Sequence, residues 1–370
     1  MKRFLVTTYI LTLLWSSQET LAQGCVAIRQ FSGIGNAVGQ GNLLEKGEWN
    51  IGTSYRYFRS FRHFRGTHEE PERVENNTEV INWTHGADLN ISYAISERLF
   101  AVASIPYAYN ERSSLYEHGR TERHTTYSGG LTDIILGGGY WLLSGQKASK
   151  GNVALGMGIK LPSGNYNAKS TFYNVGPGGT PEVRPVDQSI QLGDGGWGLA
   201  INSQGIYHLG KTMFLYYDGF YLLNPRNTNG TQTFRRRTSE AEMSVPDQFA
   251  LRAGVLAPIG SVHGLAFSLG GRLEGVPARD LIGKSEGFRR PGHIVSVEPG
   301  VSYMLGNMTL GLNVPVALLR NRIRSVTDIA DSTSENRVHG DAAFADYLIN
   351  VNLAWRIVRK EKAGVFQQLD

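Results

Sequence analysis

The chain has 370 residues, 37 Lys and Arg against 32 Asp and Glu for a formal charge of +5, a mean hydropathy of −0.24 and one cysteine. A single thiol excludes an internal disulfide and a multi-thiolate metal site, and so modest and diffuse a charge does not point to nucleic acid. The slightly polar mean is no argument against a membrane protein, because strands that alternate apolar and polar residues cancel in the average while keeping a period of two.

Residues 1–22 pass from Lys2 and Arg3 through an apolar run, Phe4 to Trp15, to Thr20-Leu21-Ala22. That order is a secretory signal with cleavage after Ala22, and the run is too short to span a bilayer as a helix. Removing Lys2, Arg3 and Glu19 lowers the formal charge of +5 by one. Cys25 follows Gly24 and is either a lipidation site or a free thiol near the mature N-terminus. Residues 23–48 are Gly-rich and weakly periodic, and read either as a periplasmic tail or as a plug in a barrel mouth. Beyond the signal, no apolar run approaches the roughly twenty residues of a membrane helix.

From Trp49 the period of two takes over. Trp49 to Arg59 sets Trp49, Ile51, Thr53, Tyr55 and Tyr57 on one face and Asn50, Ser54 and Arg56 on the other. Trp83 to Ser92 and Phe100 to Asn110 repeat the pattern, and Gly129 to Gly164 carries a hairpin of two arms. In its second arm Val153, Leu155, Met157, Ile159 and Leu161 oppose Asn152, Ala154, Gly156, Gly158 and Lys160. Each arm is about long enough to cross a hydrocarbon layer as a tilted strand. Further strands are expected at Trp197–Leu209, Met213–Leu223, Gln248–Ile259, Leu265–Gly275, Ile294–Leu305, Met308–Leu318 and Tyr347–Val358. Pro106, Pro299 and Pro315 fall inside them and are expected at bulges or strand ends.

Short and long connections alternate along this series, as they do where turns face the periplasm and loops face outside. The expectation is an all-β fold, a transmembrane antiparallel up-and-down barrel of about twelve strands over 49–358, with residues 359–370 as a periplasmic tail. Trp49, Trp83, Trp141, Trp197 and Trp355 are expected at strand ends on the outward parity, as an aromatic girdle. The final strand, with Tyr347, Ile349, Val351, Leu353, Trp355 and Ile357 on one face, looks like the C-terminal signal read by the barrel-insertion machinery.

The opposite parity supplies lumen-lining candidates. The basic ones are Arg56, Lys160, Arg252, Arg272 and Arg356; the acidic ones are Asp88, Asp133, Asp218, Glu274 and Glu298. Asn90, Asn202, Gln204, His208, Asn313, Asn350 and Asn352 add neutral polar groups. The two charge sets balance, which points to pairing across a narrow lumen rather than to a single-sign filter. No catalytic residue, metal site or cofactor is expected. The sequence has no Gly-x-Ser-x-Gly elbow and no His-Glu-x-x-His helix. His85 and His293 fall near outer strand ends, His63, His68, His118, His124 and His339 in loops.

The runs Gly130-Leu131-Thr132-Asp133, Tyr140-Trp141-Leu142-Leu143, Lys160-Leu161-Pro162-Ser163-Gly164 and Leu192-Gly193-Asp194-Gly195-Gly196-Trp197 resemble the outer-membrane channel family associated with the meta-pathway of phenol degradation. GCVAIRQF and VDQSIQLGDGG look like outer-membrane proteins of Bacteroidetes-type bacteria. The resemblance implies passive uptake of a small hydrophobic or aromatic solute and transfers no catalytic residue. Expected partners are outer-membrane lipid and lipopolysaccharide, the insertion machinery and a small-molecule solute. A structural or surface-adhesion barrel with a closed lumen and an outer-membrane hydrolase are the alternatives.

Overall fold

The computed structural model describes residues 44–358 except 211 and 261. The expected signal at 1–22, Cys25, most of the 23–48 segment and the 359–370 tail lie outside these residues. The wall consists of twelve strands: β1 (Trp49–Arg65), β2 (Ile81–Ala94), β3 (Leu99–Ser114), β4 (His124–Leu131 and Ile135–Trp141), β5 (Gly151–Lys160), β6 (Gly198–Leu209), β7 (Met213–Leu223), β8 (Gln248–Pro258), β9 (Leu265–Val276), β10 (Gly292–Leu305), β11 (Met308–Asn313 and Val316–Asn321) and β12 (Ala342–Ile357). Each pairs antiparallel with its predecessor, and β12 returns to β1 from Trp49↔Ile357 to Phe64↔Ala342. The sheet closes on itself, so no edge is left to seek a partner.

Alternation sorts the side chains as a lipid-facing wall demands. Leu155, Met157 and Ile159 of β5, Leu251 of β8, Leu269 of β9 and Leu310 of β11 are exposed, whereas Asn152, Lys160, Ala250 and Arg272 are buried inside the closed sheet. Burial here means the lumen, so a polar residue that is buried and an apolar residue that is exposed are the expected pair.

Two features depart from the expectation. Several strands outrun the bilayer: β1 continues to Arg65, β3 to Ser114, and β12 begins at Ala342. His63 therefore lies in β1 and not in a loop, and His124 lies in β4. Outside lipid the protruding wall is held by ion pairs such as Arg62 with Glu69 at 2.5 Å and with Asp346 at 2.7 Å. Trp141 is the second departure, being 8% exposed and turned inward beside Phe100, with ring centroids 6.1 Å apart. It follows the outward Tyr140, and neighbours on a strand cannot share a face. Trp49, Trp197 and Trp355 are exposed and Trp83 is half-buried.

Two of the prolines fall at a bulge and at a strand break. Pro106 has no N–H to donate, and β4 breaks opposite it: Ser104 pairs with Ile135 and Tyr107 with Leu131. Three residues of β4 therefore face two of β3, a bulge that carries Asp133. β11 breaks at Val314 and Pro315, where the Val314 amide donates to the Pro299 carbonyl at 3.0 Å.

The outer connections are folded in their own right. Residues 161–197 contain a hairpin pairing Lys169–Phe172 with Glu182–Pro185, and residues 224–247 a second pairing Thr228–Gln232 with Glu242–Ser244. Two short helices, α1 (Glu72–Glu75) and α2 (Val326–Ala330), sit in other loops, the second closed by a capping box between Ser325 and Asp328.

Candidate functional site: a lidded cavity in the lumen

The inward side chains fall into three levels. At the periplasmic rim, Arg356 donates to Glu48 at 2.6 and 3.0 Å. His208 packs against Phe214, with ring centroids 4.5 Å apart.

The middle level is a belt of charge. Arg272 reaches Glu274 at 2.8 Å and Glu298 at 3.5 Å, and Arg252 lies 3.7 Å from Glu298. Asp218 stands opposite Arg252 in register. Across the lumen Arg56 lies 3.9 Å from Asp88, which accepts from the Ser54 hydroxyl at 3.0 Å, and Arg56 donates to Asn350 at 3.2 Å. Arg56 also interacts electrostatically with Arg272, Glu274 and Glu298, so the two walls are close enough to feel each other. Asn202 and Gln204 of β6 are buried on this face; the Asn202 carbonyl oxygen and both Gln204 amide atoms have no protein partner. Asn90, Asn313 and Asn352 share the inward parity, half-buried, with Asn313 opposite Gly300 and Asn352 opposite Gly311.

Above the belt lies a cavity of about 140 Å³. Its lining mixes the charged Arg56, Asp88, Asp133, Lys160 and Asp194 with the apolar Phe58, Ile135, Phe220, Leu222 and Met243. Ile135, Phe220 and Leu222 belong to one buried apolar cluster with Val102, Ala200, Ala250 and Val276, against which Phe100 packs. Charged and apolar groups thus stand side by side in the lining, Ile135 being the register partner of Lys160.

Its roof is the outer connection. Gln188 to Asp194, expected in an extracellular loop, fold into the mouth and line the cavity. Two anchors hold them. Lys160 binds both carboxylate oxygens of Asp194 and lies 3.8 Å from Asp133, which accepts from the Gly164 and Asp194 amides at 2.9 and 3.1 Å. Asp187 takes both N–H groups of Arg290 at 2.6 and 2.7 Å and lies 3.5 Å from Arg112, which is itself paired with Glu117 at 2.6 Å. Burial alone would raise the Asp187 pKa, but Arg112 and Arg290 outweigh it and hold the carboxyl well below the usual range.

Four of the histidines have other partners. His63 binds Asp341 at 2.6 Å and accepts from the Val80 amide at 2.8 Å; the His85 ring hydrogen-bonds the Tyr55 hydroxyl at 2.7 Å. His118 accepts from the Tyr173 amide at 3.0 Å, and His339 contacts the Arg322 carbonyl at 2.7 Å. None of these contacts is to a serine, which is what the hydrolase reading requires.

The belt residues share the inward parity, whereas the lid comes from other signals. Phe58, Phe220 and Leu222 continue the alternation from Arg56 and Asp218, so their inward facing was legible. Asp194 and Gln188 lie in a connection where alternation carries no signal, and only the opposite charge of Lys160 hints at a partner.

No family model matches the chain, and no curated protein matches its sequence. Among solved structures it is similar to an outer membrane channel from Pseudomonas putida F1, at 11% identity over 89% of this chain and 100% of that chain, with a TM-score of 0.58. A FadL homologue from Pseudomonas aeruginosa (7% identity, 90% of this chain and 98% of that one) and the toluene transporter TodX from P. putida (10%, 90% and 96%) each reach a TM-score of 0.42. The first of these likenesses, the closed wall and the apolar outer belt agree on the fold: the chain is a twelve-stranded outer-membrane β-barrel.

Proposed function

We propose that the protein is a passive outer-membrane channel for small hydrophobic or aromatic solutes, of the kind handled by the meta-pathway-associated channels its motifs resemble. The cavity carries this reading. It holds about 140 Å³, and protein cavities of roughly 150 Å³ accept one benzene-sized ring. Apolar lining groups with hydrogen-bonding groups beside them suit a ring with a single polar substituent. Transport across the membrane needs the belt of Arg56, Asp88, Asp218, Arg252, Arg272, Glu274 and Glu298 to pass the solute beside its ion pairs. Asn90, Asn202, Gln204, Asn313 and Asn352 would hydrate the path, and Lys160, Asp133 and Arg356 would stand at its two ends. The domain plan that goes with this is a signal at 1–22, a tail or plug at 23–48 and a tail at 359–370.

The closed-lumen reading has its own observation in the buried ion pairs of the lid. Conductance in planar bilayers, with and without residues 26–46, separates the two. Channel events in either form support transport; silence in both, together with no solute uptake by proteoliposomes, assigns the barrel a structural role.

A further inference from the structure

The wall strands alone give the balanced charge set expected from parity, five cations against five carboxylates. Between the periplasmic rim and the cavity the described residues outside the strands add two more carboxylates and no cation. Asp194 enters from the outer connection to line the cavity, and Glu48, 3% exposed, closes the periplasmic rim against Arg356. Among the described residues the path from rim to cavity therefore carries five cations and seven carboxylates. The excess is local as well as total: the cavity lining has Arg56 and Lys160 against Asp88, Asp133 and Asp194. Above the cavity lies a wider network in which Arg112, Arg290 and Arg235 act on Asp187, Glu117 pairs with Arg112, and Glu240 and Asp341 act on Arg235. Amide side chains such as Gln204 present dipoles of either sign and do not offset the excess.

We propose that the lumen selects by charge, passing neutral and cationic small solutes and rejecting anions, with Asp194 as the specificity residue supplied by the lid. Carboxylates along a confined path are the usual device of cation-preferring channels, because an entering anion meets uncompensated like charge where little water is present to screen it. The inference rests on the channel reading and adds to it the class of solute. It excludes carboxylate- and sulfonate-bearing rings of the same size.

The test uses the full chain in planar bilayers under a KCl gradient, and in proteoliposomes offered phenyltrimethylammonium or benzenesulfonate, whose fixed charges keep them from crossing lipid unaided. The expected result is a zero-current potential of cation sign and a several-fold faster flux of phenyltrimethylammonium. Asp194→Asn and, on β2, Asp88→Asn should each lower the ratio, and together bring it near unity; compact migration on unheated gels verifies that each variant is folded. A potential at zero or of anion sign, or equal flux of both probes, overturns charge selection and leaves the channel standing. No protein-dependent flux of either probe, with no conductance, overturns both.

Discussion

His118 has little room for a second proton. It is fully buried, its Nδ1 accepts from the Tyr173 amide, its Nε2 has no protein partner, and its pKa is pushed down to about 4 by burial first and by neighbouring His124 second. Protonation would set an N–H against an N–H donor. A base whose folded pKa lies below its unfolded value of roughly 6.5 binds more protons when unfolded, so its contribution is complete above that value and lost as pH falls toward 4. The outer connections that hold His118 and Tyr173 should therefore become protease-sensitive across that interval, and His118→Phe should flatten the dependence. A second prediction at this scale concerns Lys160, 2% exposed between Asp133 and Asp194. Lys160→Met leaves two half-buried carboxylates without their cation, at a cost of about 3–5 kcal/mol. A lower denaturant midpoint is expected, with part of the loss recovered when Asp194→Asn is added.

At the scale of elements, the lid and the β4 bulge decide what the barrel encloses. Excising residues 186–191 removes both the Asp187 anchor and much of the cavity roof, so unitary conductance should rise while the wall keeps its resistance to denaturant. An unchanged conductance would mean that the constriction lies in the charge belt instead. These two elements also mark where sequence reading stopped. Strands such as β5 and β7 were legible because Met157, Ile159, Tyr217 and Tyr221 keep one parity from end to end. At β4 the extra residue opposite Pro106 reverses it: Ser128 is inward before the bulge and Ile135 after it, so even numbers give way to odd. A proline announces that a ladder bond is missing, yet it does not say on which strand the spare residue sits. Lid residues are less legible still, because Asp187 finds Arg290 across 103 residues and Lys160 finds Asp194 across a folded hairpin. Such pairings follow from tertiary closure, which no local period encodes.

For the whole molecule, the sign and size of the lumen emerge only on closure. Parity alone yields a balanced lining; adding the rim and the lid tips it acidic, and adding the inward Phe58, Phe220 and Leu222 makes it amphipathic. The seam between β1 and β12 is where that closure is sealed, and it has a kinetic consequence. Glu48 and Arg356 are 308 residues apart, whereas each hairpin joins near neighbours. Loop-closure entropy grows as (3/2)RT ln n, so the seam carries the largest such cost, about 5 kcal/mol before any constant. Hairpins can zip early, and the circle must wait for its two ends to meet. Arg356→Ala should therefore slow the appearance of the heat-resistant form during refolding into detergent micelles, measured as a time course on unheated gels. Its effect on the final yield should be small, since the seam's ladder survives. The rim ion pair would then act as a timer of assembly, deciding how long an open sheet with two bare edges persists before it becomes a pore.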